Sequence, residues 1–106
     1  MDANTYQELA LRTLNPEIEK KDILLNGVMG LSGEAGETID IVKKHLFHGH
    51  ELDREKILLE LGDIAWYLAE TAYALDTDLS TVLSMNIDKL MKRYPEGFSE
   101  ERSINR

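Results

Sequence analysis

Two pairs of acidic residues have the clearest capacity for chemistry in this sequence. Glu34 and Glu37 are three residues apart, and so are Glu60 and Asp63. On a helix, residues at this spacing lie on one face, so each pair would point two carboxylates in the same direction. If the two segments formed an antiparallel hairpin, the four carboxylates would converge. Converging carboxylates raise one another's pKa unless a cation neutralises them, and oxygen ligands favour Mg²⁺ or Mn²⁺ over zinc.

The neighbours of the acids support a site without proving one. Glu60 and Asp63 lie in the largely apolar stretch from Leu58 to Trp66, where a carboxylate is costly unless it is paired or metal-bound. Lys56 is the one basic residue four positions from any of the acids. Acidic residues at this spacing are also common on solvated helix faces. The residues alone therefore leave both a metal site and an acidic surface open.

Four glycines precede and flank the first acidic pair at intervals of three residues: Gly27, Gly30, Gly33 and Gly36. Each glycine inside a helix costs about 1 kcal/mol relative to alanine. Two explanations are compatible with each other. The glycines permit close contact with another helix (or a kink), or they clear room for a ligand beside the acids.

The elements that would position these residues are helices, because the apolar pattern has helical periodicity and no strand-like alternation. Asn4 is the expected N-cap of a first helix, and a second is expected from about residue 22 to 46. Asp53 is the expected N-cap of a third helix that ends near residue 75. Asp78 (or Ser80) should cap a fourth helix that Pro95 ends. We therefore predict an all-α fold, an antiparallel bundle of about four helices.

Length and charge limit the possible classes of protein. The 106 residues fit one domain spanning 1–106, with a modest core that oligomerisation would complete and a polar, mobile tail from about residue 99. Phe98 is expected to dock on the bundle. The net charge of −8 argues against nucleic-acid and membrane-surface binding. The chain has no cysteine, no membrane-spanning apolar run and no signal-peptide pattern at its N-terminus, so we expect a cytoplasmic protein.

Three histidines, His45, His48 and His50, follow one another at the end of the second predicted helix. Their spacing gives no convincing zinc-ligand frame, and no cysteine is present to complete one. A solvated helix C-terminus, where imidazolium is favourable, is the preferred interpretation.

The acidic pairs also resemble a known signature. Glu34-x-x-Glu37, 22 intervening residues and Glu60-x-x-Asp63, followed by a block from Asn86 to Phe98, are similar to the MazG-like family of all-α nucleoside triphosphate pyrophosphohydrolases. The resemblance covers roughly residues 28–99. It implies hydrolysis between the α- and β-phosphates of a nucleoside triphosphate, giving a monophosphate and pyrophosphate. It also implies a homodimer or homotetramer.

The resemblance implies roles for individual residues. The four acids would bind Mg²⁺ (or Mn²⁺), with Glu37, or else Glu34, accepting the proton of the attacking water. Tyr67 would stack on the base, whereas Trp66 is assigned to the core or an interface. Tyr6 and Gln7 on the first helix would close the pocket. The candidate phosphate-binding residues are Asn86, Lys89 and Arg93, with Lys44 added only because it lies two helical turns after Glu37.

Three alternatives remain. The chain could be a non-catalytic helical protein that binds nucleotide or oligomerises. It could keep the fold and act on phosphoribosyl-ATP. A di-iron carboxylate bundle is disfavoured, because neither acidic pair has histidine at the fourth position.

Overall fold

A computed structural model describes all residues, 1–106, and contains five α-helices and no strand. It confirms the all-α prediction and adds a short fifth helix within the tail. A 3₁₀ turn at Leu11–Thr13 follows the first helix. The helices are α1 (Ala3–Ala10), α2 (Lys20–Phe47), α3 (Arg54–Ala74), α4 (Leu79–Arg93) and α5 (Glu100–Ile104).

The hairpin of α2 and α3 is the main packing unit of the chain. The two helices are antiparallel, because Gly27 lies against Thr71, whereas Gly30, further along α2, lies against Tyr67, which comes earlier in α3. A methyl group on Gly30 would overlap the ring of Tyr67. A methyl group on Gly27 would overlap the hydroxyl of Thr71 and lie 3.3 Å from the Thr71 Cα atom. These two glycines therefore let the helices approach closely.

The other two glycines of the series serve the second explanation. A methyl group on Gly33 or Gly36 would meet no atom within 4 Å, so neither glycine is needed for contact between helices. Both line a cavity beside the acidic residues. The two explanations for the glycine series thus apply to different members of it.

Side-chain caps define where α1, α3 and α4 begin. Asp53 and Asp78 accept backbone N–H bonds at the starts of α3 and α4, at 3.0 and 2.7 Å, as predicted. The prediction for α1 was wrong, because Asp2 is its N-cap. Asn4 instead accepts a hydrogen bond from the Ser80 backbone N–H at 3.0 Å and joins α1 to α4. Both residues can cap a helix, and the contact with α4 determines which one does.

Gln7 links three helices from a buried position. Its amide nitrogen donates to the Ala69 carbonyl oxygen and its amide oxygen accepts from the Leu79 backbone N–H, both at 3.0 Å. The sequence analysis placed Gln7 at the pocket, but the structure buries it between α1, α3 and the start of α4. It therefore has a structural role, because the Leu79 N–H is buried at the first position of α4, where no intrahelical carbonyl can pair with it.

The chain alone exposes an unusual amount of surface. Only 7 of 106 residues are buried, and the accessible surface is 8,048 Å², whereas a compact monomer of this mass exposes about 6,000 Å². The radius of gyration is 16.8 Å, compared with about 13 Å for a compact chain of this length. Helix α4 accounts for much of the difference, since every residue between Leu79 and Arg93 is exposed.

The C-terminal residues make few contacts with the hairpin. Ser99 caps α5, where the sequence analysis expected a mobile tail. Phe98, expected to dock on the bundle, remains 74% exposed and contacts Tyr94 with ring centroids 5.4 Å apart. Among the five helices, none is both long enough and apolar enough to cross a membrane.

Candidate active site

Three carboxylates converge between α2 and α3. Glu34, Glu37 and Glu60 each offer an oxygen atom, and these three atoms lie within 4.8 Å of one another. We call these residues the carboxylate cluster. Asp63 is outside this distance and lines a neighbouring cavity together with Glu34. The i, i+3 spacing puts Glu34 and Glu37 on one face of α2, and the antiparallel packing of α3 brings Glu60 next to that face.

The electrostatics of the cluster are unfavourable without a cation. Contact with the Glu34 carboxyl group, followed by burial, raises the pKa of Glu60. One oxygen of Glu34 and one of Glu60 are buried and have no hydrogen-bond partner. Buried carboxylate oxygens without a partner are costly. A hard divalent cation would satisfy both, so this donor set fits Mg²⁺.

The cluster lies between two cavities. The aromatic cavity, of about 420 Å³, is lined by Thr13, Glu34, Asp63, Trp66 and Tyr67. The lysine-side cavity, of about 500 Å³, is lined by Gly33, Gly36, Glu37, Asp40, Ile41, Lys56 and Glu60. Because each cavity includes part of the carboxylate cluster, a ligand centred on the cluster would extend into both.

Tyr67 and Trp66 form one wall of the aromatic cavity. The Tyr67 ring lies against Gly30 and meets Trp66 edge-on, with ring centroids 5.2 Å apart. Burial, and then the nearby carboxylates, raise the pKa of Tyr67, so its phenol stays neutral at physiological pH. Tyr67 thus occupies the position that the sequence analysis gave it. Trp66, assigned to core or interface, also lines this cavity.

The end of α1 is fixed to this wall by hydrogen bonds. The Trp66 indole N–H donates to the Ala10 carbonyl oxygen at 2.9 Å and to the Thr13 hydroxyl at 3.0 Å. The Thr13 hydroxyl in turn donates to the Ala10 carbonyl oxygen at 2.8 Å. The Tyr6 hydroxyl lies 3.5 Å from the Gly62 carbonyl oxygen, beside the acids. The first helix and the 3₁₀ turn after it therefore border the site, through Tyr6 and Thr13 rather than Gln7.

The sequence analysis did not identify Thr13 or Lys56 as site residues. Thr13 lies in the 3₁₀ turn after α1, and no motif marks it. Lys56 carried one signal, its position four residues before Glu60 on the same helix face. Their places depend on how α1 and the connection between α2 and α3 fold against the hairpin.

The predicted phosphate-binding residues of α4 are not near the cluster within one chain. Lys89 and Arg93 line a separate cavity of about 580 Å³ between α4 and α5. Asn86 lies on the same exposed stretch of α4. Within one chain α4 leaves the hairpin after Leu79, so phosphate binding by Asn86, Lys89 and Arg93 stays a prediction. Helical periodicity shows which residues share a face but not where that face points.

Lys44 and His50 lie beyond the far end of the lysine-side cavity. The Lys44 ammonium is 2.9 Å from a carboxylate oxygen of Asp40 and lines a third cavity, of about 360 Å³, rather than the one at the cluster. His45 Nδ1 lies 2.9 Å from the His50 carbonyl oxygen, a contact that closes the end of α2.

The fold and the cluster define an all-α protein with a carboxylate site between two antiparallel helices. A family model described as the MazG nucleotide pyrophosphohydrolase domain matches residues 25–98, and the chain belongs to this family. It is also 42% identical over 82 residues to the Gene 37 protein of Mycobacterium phage L5, covering 74% of this chain and 72% of the relative. No solved structure matches the chain significantly. The matched residues include most of α2 and all of α3 and α4 but exclude α1 and α5.

Proposed function

We propose that the chain hydrolyses a nucleoside triphosphate between the α- and β-phosphates, producing a nucleoside monophosphate and pyrophosphate. A deoxynucleotide or a non-standard nucleotide is the expected substrate. The observation that carries the proposal is the convergence of Glu34, Glu37 and Glu60, two of them with buried, partnerless oxygens, between two cavities. Family membership gives this geometry its reaction class.

The residues that would hold Mg²⁺ are the three members of the carboxylate cluster, with Asp63 beside them. When bound, the ion would neutralise the phosphates and lower the pKa of a water molecule. Glu34 and Glu60 are partly buried, and a partnerless oxygen of each is enclosed, which suits them to hold a cation.

Glu37 is the member of the cluster best suited to accept a proton. It is exposed, whereas Glu34 and Glu60 are partly buried, so water reaches it most easily. In the proposed reaction, Glu37 takes the proton of the attacking water as the water oxygen bonds to the α-phosphorus. The bond from that phosphorus to the bridging oxygen breaks, and pyrophosphate leaves with the bonding electrons.

The aromatic cavity is the proposed site for the nucleoside. Tyr67 and Trp66 offer flat apolar surfaces, and a nucleobase stacks favourably on such a surface. The hydrogen bonds from Trp66 to Ala10 and Thr13 hold this wall in place before a ligand arrives. Asp63, at the edge of the cavity, lies between the nucleoside and the carboxylate cluster.

We also propose that the active form is a homodimer or homotetramer. The chain exposes about 2,000 Å² more than a compact monomer would, enough to supply one side of an obligate interface. Exposed apolar residues of α4, including Met85, Ile87 and Met91, would be covered by a second copy. Such a copy could bring Lys89 and Arg93 to the carboxylate cluster that they do not reach within one chain.

A screen for pyrophosphate release tests the reaction. The four ribonucleoside and common deoxynucleoside triphosphates, with phosphoribosyl-ATP, are incubated with and without Mg²⁺. We expect cleavage of at least one nucleotide, dependent on the metal and lost in Glu60→Gln. Glu55→Gln, on an exposed site of the same helix, is the matched control and should retain activity. Absence of cleavage with every nucleotide and metal would contradict the proposal.

Sedimentation of the same preparation tests the assembly. We expect a mass of two or four chains at micromolar concentration. Ile87→Glu, which places a charge on the exposed apolar side of α4, should shift the mass towards one chain. A wild-type protein that sediments as a monomer while active would contradict the proposed assembly and leave the reaction standing.

A further inference from the structure

The Thr13 hydroxyl has one hydrogen-bonding position left for a ligand. A hydroxyl can donate one hydrogen bond and accept two. The Thr13 hydroxyl donates to the Ala10 carbonyl oxygen at 2.8 Å and accepts from the Trp66 indole N–H at 3.0 Å. A single lone pair of its oxygen remains. Because Thr13 is exposed and lines the aromatic cavity, a bound molecule can reach that lone pair.

The same bonds leave the Trp66 end of the cavity without a free side-chain donor. The indole N–H is the only polar group of the Trp66 side chain, and it is shared between the Ala10 carbonyl oxygen and the Thr13 hydroxyl. Thr13 is therefore fixed as an acceptor before a ligand arrives. This end of the cavity favours a ligand group that carries an N–H and disfavours one that presents a lone pair.

Most of the other polar groups in the cavity are also acceptors. Glu34 and Asp63 carry carboxylates, which only accept hydrogen bonds when they are ionised, and the Tyr67 phenol is the one group that can also donate. The two acids belong to the proposed metal site and its border. Thr13 is thus the acceptor left for the nucleoside.

We propose that Thr13 selects nucleotides whose base carries an exocyclic amino group, as cytosine and adenine do, over bases with a carbonyl oxygen in its place, as in uracil and hypoxanthine. The inference rests on the proposed function and narrows its substrate. With the phosphates at the carboxylate cluster and the base in the aromatic cavity, the base edge farthest from the sugar faces Thr13. An amino group on that edge donates to the free lone pair, whereas a carbonyl oxygen meets it with a lone pair of its own.

The selectivity is expected to distinguish this chain within its family. Thr13 lies outside residues 25–98, which the family model matches. Its position depends on the 3₁₀ turn after α1 and on the bond from Trp66. Because Thr13 is exposed, water competes for its lone pair, and the discrimination should be modest.

Two pairs of nucleotides that differ mainly in this group test the inference: dCTP with dUTP, and dATP with dITP. We expect the wild type to have a higher kcat/KM for the amino member of each pair by about fivefold, the size of one solvent-accessible hydrogen bond. Thr13→Val keeps the shape of the side chain, removes the acceptor and should reduce each ratio about fivefold. The Trp66 N–H retains its bond to Ala10 in this variant, and Thr13→Ser should preserve the ratios.

Thr5→Val is the matched control, because it makes the same substitution at an exposed threonine of α1 outside the cavity. It should leave both ratios unchanged. Wild-type protein that cleaves dUTP and dITP as well as their amino counterparts would overturn the inference, and so would ratios that Thr13→Val does not alter. An equal loss for both members of each pair would also overturn it, because Thr13 would then only position Trp66.

Binding of the monophosphate products separates this inference from the reaction itself. The intact chain is titrated with dCMP and with dUMP in the presence of Mg²⁺, which requires no turnover. We expect tighter binding of dCMP by the wild type and loss of that preference in Thr13→Val. If no triphosphate is cleaved, the proposed reaction fails, and equal affinity of the wild type for dCMP and dUMP would then overturn the selectivity as well.

Discussion

Replacing single glycines of α2 with alanine should distinguish the glycines that permit close helix packing, Gly27 and Gly30, from those that line a cavity, Gly33 and Gly36. Gly33→Ala adds a methyl group that meets no atom within 4 Å. Alanine is favoured over glycine in a helix by about 1 kcal/mol, so this variant should be more stable by about that amount. For a domain of this size, the corresponding rise in Tm is about 4 °C.

Gly30→Ala should have the opposite effect. The added methyl group overlaps the Tyr67 ring, which must move. Overpacking of this kind costs about 1–3 kcal/mol, which outweighs the helical gain of about 1 kcal/mol. We therefore expect a net loss of about 1 kcal/mol in the free energy of unfolding. Gly36→Ala and Gly27→Ala repeat the comparison at the other two positions, with Thr71 as the obstacle at Gly27.

Urea denaturation and nucleotide kinetics measure both consequences. We expect Gly33→Ala to stabilise the chain and yet raise KM, because its methyl group projects into the lysine-side cavity beside the carboxylate cluster. Gly30→Ala should lose stability and, through displaced Tyr67, affinity for the nucleoside. A Gly33→Ala variant that is destabilised as much as Gly30→Ala would refute the assignment of these glycines to a cavity and a contact.

Three further substitutions test the charged and polar groups. Because the pKa of Glu60 is raised in the folded chain, its stabilising contribution is lost as the pH rises through that pKa. Glu60→Gln should therefore raise the metal-free Tm at pH 8 but remove the rise in Tm that Mg²⁺ gives the wild type. Burial likewise raises the pKa of Glu70, so Glu70→Gln should flatten the fall in Tm between acidic and neutral pH. Gln7→Ala leaves the buried Leu79 N–H unpaired and should cost about 2 kcal/mol in urea denaturation.

Much of the fold is predictable from the sequence, because local signals determine helices. The caps at Asp53 and Asp78 and the apolar periodicity give α3 and α4 nearly their observed bounds. The first helix shows where local signals are insufficient. Asp2 and Asn4 are both good caps, and only the bond from Ser80 to Asn4 distinguishes them.

The candidate site is predictable to a similar depth. The i, i+3 spacing and the hairpin bring Glu34, Glu37 and Glu60 together, as expected, and Tyr67 falls one turn beyond Asp63. The apolar periodicity of α4 does not predict the direction in which the helix runs. A helix with an exposed apolar side is positioned by the surface that packs against that side. That is why Lys89 and Arg93 were expected at the acids and are found elsewhere.

Glu70 shows a further limit of sequence reasoning. It continues the stripe of polar residues along α3, so its spacing alone suggests another member of the site. The structure buries it completely, and the Asn26 amide, oriented with its nitrogen towards Glu70, donates to the two carboxylate oxygens at 2.7 and 3.0 Å. A specific partner on α2 thus separates a structural carboxylate from those of the cluster.

Trp66 is the chain's one tryptophan. Because it lines the aromatic cavity, the protein has an intrinsic fluorophore within the candidate active site. Its indole N–H donates a hydrogen bond to the end of α1, and its ring lies nearly perpendicular to the Tyr67 ring. The emission wavelength should therefore change if α1 leaves the hairpin, and the intensity should change if the proposed nucleobase enters the cavity. Binding to the unlabelled native chain can thus be followed optically, with every change in signal originating from a single residue.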